Sequence, residues 1–301
     1  MTAQSPDPGA RRIAYQGEPG ANSHIACERH YPGWESVPCA SFEEVFATVE
    51  NGEAERGMIP IDNSLAGRVA DIHQFLPGSG LHIIGEHFLR IQFALLALPG
   101  ASLETIKTVH SHAHALGQCR KVIRQHDLQP VISGDTAGAA REVAESGDLT
   151  QAAISPPRAA DIYGLEVLAT DVEDETHNTT RFVVLSREFV EANPGHGPVV
   201  TSFTFNVRNL PAALYKALGG FATNGVNITK LESYMVGGLF SATQFLVEVD
   251  GHPSDPPLAQ ALEELAFFTT GVKLLGVYPA DPFRASATAS TNEPIQTPAD
   301  A

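Results

Sequence analysis

Basic side chains are in short supply. The 301-residue chain carries 19 Lys plus Arg against 35 Asp plus Glu, a formal net charge of −16. So acidic a chain is a poor general binder of nucleic acid or anionic membrane, which are held by basic patches. With no basic recognition helix either, a DNA-binding regulator is disfavoured. Cysteine is scarcer still: Cys27, Cys39 and Cys119 are scattered and odd in number, with no CxxC pair. No disulfide framework follows, and a reducing compartment is expected. Long apolar runs are missing. The stretch LRIQFALLALPG at 89–100 contains Arg90 and breaks at Pro99, short of the roughly 20 residues of a membrane helix. The opening MTAQSPDPGARR has no apolar core for a Sec signal, and no apolar stretch follows Arg11-Arg12 as a twin-arginine signal requires. A soluble, cytosolic protein is the expectation. There is no Gly-x-Ser-x-Gly elbow, no HExxH and no EF-hand loop, and nothing suggests a Ser-His-Asp triad.

What is present points to packed domains. Hydrophobic residues make up 43% and charged residues 18%, enough apolar material for cores. The length fits about two domains. EANPGHGP at 191–198 has two prolines, two glycines and no large apolar residue, and marks the boundary. Residues 1–10 and 285–301 are rich in Pro, Ser, Thr and Ala and read as loose tails. Before the boundary, strands and helices alternate. RIAYQG (12–17) reads as a strand and SFEEVFATVENG (41–52) as a helix capped by Ser41 and Glu44 and stopped by Gly52, with Phe42, Val45, Phe46 and Val49 on one stripe. RGMIPID (56–62) is the next strand and AGRVADIHQFL (66–76) the next helix. IKTVHSH (106–112), HALGQCRKVIRQH (114–126), TAGAAREVAESG (136–147) and AAISPP (152–157) continue the alternation. This predicts an α/β fold with a mostly parallel sheet. Beyond the boundary the order becomes βαββαβ, around a turn at Gly237-Gly238, which predicts a ferredoxin-like domain.

Four segments gather groups that could do chemistry. GEPGANSH (17–24) follows the first strand. Gly17 and Gly20 permit a tight turn, Asn22 or Ser23 can cap the next helix, and its N-terminus can face an anion. The spacing is neither GxGxxG nor GxxxxGK[ST], so nucleotide binding is unsupported, and an ordinary strand–turn–helix remains open. PIDNSLAGR (60–68) places Asp62, Asn63 and Ser64 at a strand end, where ligands bind in open α/β sheets, or where the three merely cap a helix. HSHAHALGQC (110–119) spaces His110, His112 and His114 alternately, as a metal site on an extended strand would. The alternative is a strand end supplying Ser111 and, a turn later, Gln118. HNTTRFVVLSR (177–187) sets Thr179, Thr180 and Arg181 at a strand start. A guanidinium beside a hydroxyl suits a carboxylate, while a surface Arg with strand-favouring threonines explains the same residues.

Jointly, IAYQGEPGANSH, SFEEVFATVENGEAERGMIPIDNSLAGRVAD, HSHAHALGQC and HNTTRFVVL, in that order over about residues 12–187, resemble the prephenate dehydratase family. RNLPAALYKAL and ITKLESY resemble the ACT regulatory domain that follows the catalytic domain in those enzymes. The resemblance implies a bilobed catalytic domain at 12–188, similar to type II periplasmic binding proteins, with lobes 12–88 plus 168–188 and 89–167 and the active site in the cleft between. It implies an ACT domain at 199–280. The implied reaction takes prephenate to phenylpyruvate, water and carbon dioxide in phenylalanine biosynthesis. No electron sink is needed, so neither cofactor nor metal is expected.

The resemblance gives Thr180 the acid role toward the leaving hydroxyl and Arg181 a substrate carboxylate. Asn63, Ser111 and Gln118 would orient the substrate or the proton path, with Ser64 and Thr179 as neighbours and Phe182 packing the strand. L-phenylalanine would inhibit through Asn209, Leu210, Ala213, Leu214, Glu232 and Ser233 at an interface between ACT domains, which needs at least a homodimer and allows a tetramer. The chain departs from the common pattern at Asp62, where many members have Glu, and at Ala113-His114, where Pro-Gln is frequent. It departs again at Ala212-Ala213-Leu214 for Gly-Ala-Leu and Tyr234-Met235 for Arg-Pro. The other readings are an arogenate dehydratase and a non-catalytic amino-acid sensor, since fold alone does not fix function.

Overall fold

The computed structural model describes residues 10–69, 72–208, 210–235 and 242–286. The chain divides into two compact units. One takes in the chain up to Leu81 together with Leu89–Glu188, the other His82–Phe88 and the chain from Phe189. Most of the two expected tails, Asn209 and the Gly237-Gly238 turn lie outside the described residues.

In the first lobe of the first unit, β1 (Arg12–Gln16), α1 (Asn22–His30), β2 (Glu35–Cys39), α2 (Phe42–Glu50) and β3 (Arg56–Asn63) alternate. β2, β1 and β3 run parallel. Ser41 Oγ accepts from Glu44 N at 3.2 Å, and the Glu44 carboxylate accepts from Ala40 N at 2.7 Å, so the capping box closes one residue further back than its usual form. Val45, Phe46 and Val49 are buried as the stripe requires, while Phe42 is only half-buried. The helix expected at 66–76 is different. β4 (Gly67–Arg68) folds back on β3, and α3 (Ile72–Gly78) starts later. The sharp return uses Gly67 at φ +80°, which residues with a Cβ rarely adopt. β5 (His82–Arg90) follows.

The second lobe holds β6 (Ala94–Ala97), β7 (Thr108–Ser111), α4 (Ala113–Gln118), α5 (Arg120–Gln125), β8 (Gln129–Ile132), α6 (Thr136–Ser146), β9 (Gln151–Ser155), α7 (Arg158–Tyr163) and β10 (Glu166–Ala169). Its sheet runs β10-β6-β9-β7-β8. β9, β7 and β8 are parallel, while β6 and β10 are antiparallel to their neighbours. The helix expected at 114–126 breaks at Cys119. Asp174 accepts from the N–H groups of Arg120 and Lys121, both at 3.0 Å, and so starts a fresh helix there. The chain then returns as β11 (Thr179–Ser186), antiparallel to β3. Both sheets are therefore mixed rather than mostly parallel, because a chain that leaves a lobe and comes back enters it in the opposite direction.

The two crossing segments lie side by side. Ile91 N donates to Asn178 O at 2.8 Å and Val172 N to Phe93 O at 3.1 Å. This is the bilobed plan similar to type II periplasmic binding proteins. The three cysteines are all free and buried. Burial pushes the Cys27, Cys39 and Cys119 thiols up, so they are poor nucleophiles.

The second unit contains β12 (Val199–Asn206), α8 (Ala213–Thr223), β13 (Ile228–Met235), β14 (Ala242–Asp250), α9 (Pro256–Phe268) and β15 (Thr270–Pro279). The antiparallel order β13-β14-β12-β15 is ferredoxin-like. Phe203, Phe205, Phe221 and Phe245 fill its core with Leu258 and Leu265. Residues 82–88 cluster in this unit. Phe88 stacks on Phe283 at 4.7 Å, and Gly276 lets its backbone lie against Ile83, where a Cβ would collide with the Ile83 carbonyl. Glu86 takes a bidentate contact from Arg284, at 2.5 and 2.9 Å, and the same guanidinium reaches Glu248 at 3.3 Å. No helix among the described residues is long and apolar enough to cross a membrane.

Candidate active site

A cavity of about 550 Å³ opens between the two lobes of the first unit. That is within the range of small-molecule sites. Four helices begin on its wall. α1 brings Asn22 and Ser23, α2 brings Ser41 and Phe42, α4 brings His114 and Ala115, and α6 brings Asp135 and Thr136. The first N–H groups of a helix have no intrahelical acceptor, and the dipole adds partial positive charge there. Among the described residues no Lys or Arg lines the cavity, whereas Glu43 and Asp135 do. Asp135 is occupied as the cap of α6, accepting from Gly138 N at 2.6 Å. An anion placed in this cavity meets backbone N–H groups and polar side chains, and no cation among the described lining residues.

The cap of α1 is not the one expected. Ala21 holds that position without a side-chain bond, and Asn22 and Ser23 are the first helical residues. Their side chains are thereby released to the cavity, whose lining they join.

A continuous polar chain crosses the cavity from one lobe to the other. Asn63 Nδ2 donates to Thr180 Oγ1 at 2.9 Å and to Asn178 Oδ1 at 2.7 Å, and Asn178 Nδ2 donates to Gln118 Oε1 at 2.8 Å. All four residues line the cavity. Thr180 is 8% exposed and stands opposite Asn63 in the β11–β3 register. Sequence reasoning singles out Thr180, Asn63 and Gln118 but misses Asn178. Asn178 sits inside the quoted HNTTRF run, but an Asn before a strand reads as turn chemistry, and no local spacing announces a partner sixty residues away.

Other expected site residues face elsewhere. Arg181 pairs in register with Asp62, one step along from Thr180 and Asn63. Successive strand residues point to opposite faces. The Arg181 guanidinium therefore lies on Asp62, at 3.3 Å, buried and off the cavity wall. Ser111 is fully buried on β7, between β9 and β8, and donates to Ile154 O at 2.5 Å, so it does not line the cavity. Ser64 Oγ donates to His177 O at 3.1 Å and accepts from Thr179 N at 2.9 Å, while Thr179 Oγ1 donates to His177 O at 3.4 Å. These two fasten the end of β3 to the start of β11.

The three alternate histidines do not gather a metal. His110 Nε2 lies 3.3 Å from Thr108 Oγ1, and His112 Nδ1 accepts from His114 N at 3.3 Å as the cap of α4. Among the described residues no group of three His, Cys, Asp or Glu is placed to hold a metal ion. Burial, reinforced by His114, pulls the His112 pKa below its ordinary value. Because Nδ1 accepts, the neutral ring carries its proton on Nε2.

In the second unit, Leu210 and Ala213 line a cavity of about 250 Å³ with Arg208, Lys216, Phe268 and Thr270. Leu214 packs on the unit's core. Glu232, 3.7 Å from Lys230 Nζ, and Ser233 lie on edge strand β13 and do not line that cavity.

A family model for prephenate dehydratase matches residues 13–189. A bifunctional N-acyl-homoserine lactone acylase/prephenate dehydratase from Komagataeibacter europaeus is 51% identical over 276 residues, 92% of this chain and 98% of that protein. The chloroplastic arogenate dehydratase/prephenate dehydratase 2 of Arabidopsis thaliana is 38% identical over 280 residues, 90% of this chain and 73% of that one. The crystal structure of a prephenate dehydratase from Arthrobacter aurescens in complex with L-Phe superposes with a TM-score of 0.82 at 30% identity, covering 93% of this chain and 98% of the other.

Proposed function

The chain belongs to the prephenate dehydratase family, and from that membership we propose that it converts prephenate to phenylpyruvate, carbon dioxide and water, under inhibition by L-phenylalanine. The observation that carries the reading is the polar chain across the cavity, which ends in hydrogen-bond donors at both lobes. Its polarity follows from the backbone. Leu65 N and Ala66 N donate to Asn63 Oδ1 at 3.0 and 2.8 Å. Backbone N–H groups only donate, so the amino end of Asn63 faces Thr180 and Asn178. Thr180 Oγ accepts from it and keeps its own proton for the substrate.

Prephenate is a dianion. The ring carboxylate leaves as carbon dioxide, the C4 hydroxyl leaves with an added proton as water, and the ring becomes aromatic. Thr180 delivers that proton. A free alcohol is a weak acid, and the bond from Asn63 Nδ2 lowers the cost of the developing alkoxide. The carboxylates are held by the helix N-termini of α1, α2 and α6 rather than by Arg181, which supports the strand through Asp62. Neutral His112 contributes a donor without adding charge. The half-buried Phe42 and the buried Phe93, both on the cavity wall, suit the ring.

Phenylpyruvate formed from prephenate, followed by ultraviolet absorbance, tests the activity. Turnover is expected on prephenate, with arogenate used more slowly. Turnover of arogenate alone makes the protein an arogenate dehydratase. L-phenylalanine is expected to lower the rate and, at a hundredfold excess over its Kd, to stabilise the fold by about 2.7 kcal/mol. The residues offered for it are Leu210, Ala213 and Leu214 of one protomer with Glu232 and Ser233 of another, as an ACT pairing supplies. Asn209 completes the proposed set.

The 51% identity to the bifunctional relative favours a second activity, hydrolysis of an N-acyl-homoserine lactone. It is expected to appear as free homoserine lactone released from an N-acyl substrate, and absence of release removes it.

A further inference from the structure

We propose that Asn178 is a positioning residue that decides which end of the Gln118 amide faces the substrate, an inference that deepens the dehydratase reading and rests on it. The direction of every bond in the chain traces to one place. Leu65 N and Ala66 N fix the carbonyl end of Asn63. Asn63 Nδ2 must then donate, so the atom of Asn178 that it meets at 2.7 Å is the carbonyl oxygen. The other end of Asn178 is therefore the amino group, and it donates to Gln118 Oε1 at 2.8 Å. Gln118 is left with its Nε2 turned away from Asn178, two N–H donors on a residue of the cavity wall.

An amide by itself has little preference between its two orientations. Gln118 is the last residue of α4, where the helix breaks at Cys119 before α5 begins. The return crossover does the pinning twice. Asp174 N donates to Gln118 O at 2.6 Å and holds the backbone, and Asn178 holds the amide. Asn178 is itself rigid. It is 1% exposed, and its backbone carbonyl accepts from Ile91 N of the outgoing crossover at 2.8 Å. A residue on the crossover thus carries the orientation set in the first lobe over to a donor in the second.

The polarity makes a sharp distinction between substitutions. In Asn178→Asp at neutral pH the carboxylate still accepts from Asn63 but offers no donor to Gln118. The Gln118 amide then rotates to donate to the introduced carboxylate, and its carbonyl oxygen faces the anionic substrate. Asn63 keeps its two backbone bonds, so Thr180 is left in place. The introduced charge also repels the dianion directly, an effect on binding that does not need Gln118, whereas the loss in kcat is predicted to act through Gln118.

The test is a double-mutant cycle on the full chain, with prephenate and, in parallel, arogenate. Asn178→Asp is expected to lower kcat about a hundredfold, the scale of one misplaced donor, beside a rise in KM from the introduced charge that is the same with and without Gln118. In the Gln118→Ala background the same substitution is expected to cost less than about threefold in kcat, because the group it acts on is gone. Asn178→Ala, which frees the amide instead of inverting it, is run in the same two backgrounds and replaces the first variant if that one does not fold. Equal losses in kcat with and without Gln118, or a loss in KM alone, overturn the positioning role while leaving the dehydratase reading intact. A wild-type protein inactive on both substrates overturns both.

Discussion

Thr180→Ala is expected to lower kcat on prephenate by about a thousandfold, within the range that a positioned general acid contributes, while the protein stays folded. The hydroxyl at the Asn63 end of the polar chain has a proton to give, and it sits 2.9 Å from an amide that donates to it. Removing it leaves Asn63 Nδ2 still bonded to Asn178, so no buried donor is wholly abandoned. The stability change is therefore expected to stay near 1 kcal/mol. Thr180→Ser keeps the hydroxyl and is expected to retain most of the rate. Steady-state rates with a melting curve check both, and an alanine variant that turns over at the wild-type rate would falsify the acid role.

Arg284→Ala is expected to destabilise the second unit by about 3 kcal/mol at pH 7. The side chains of Glu86 and Glu248 are 0% and 1% exposed, and both meet the same guanidinium. Without it, two buried carboxylates face one another with the guanidinium that both contact removed, the costly outcome of breaking a buried ion pair from one side. Adding Glu248→Gln is expected to recover part of the loss at pH 7. Arg284→Lys keeps the charge but not the fork, and should cost less than the alanine change. Denaturant unfolding at pH 7 separates these outcomes, and an alanine variant as stable as the wild type, or no recovery on adding Glu248→Gln, would refute the buried-charge account.

The sequence carried those parts of the fold and site that depend on local pattern. The α2 cap is legible because Ser41 and Glu44 act within one turn. The βαββαβ order is legible because each strand and helix of the second unit has its own apolar period. Thr180, Asn63 and Gln118 stand out because strand ends and helix ends in an α/β chain are where polar side chains meet a ligand. The places where the structure departs from local pattern share a different origin. Arg181 looks equivalent to Thr180 from its place in the motif, but one step along a strand reverses the face, and Asp62 occupies the other side. Ser111 looks like a strand-end donor, yet β7 lies between β9 and β8 and buries it. An unbroken helix at 114–126 leaves out Asp174, which starts α5 from fifty residues further on.

The sequence by itself determined the family, the α/β character of the first unit, the ferredoxin-like order of the second and three members of the polar chain. Periodicity, caps and turn residues act over a few positions, and they are written where they act. Only the tertiary structure decided that helix N-termini, with no cation among the described lining residues, surround the cavity, that Arg181 turns to Asp62, and that Asn178 joins the lobes. Those outcomes depend on which face a strand shows and on what the returning crossover meets. Hydrogen bonds between residues 60 or 115 positions apart, as Gln118–Asn178 and Asn63–Asn178 are, leave no mark on local composition.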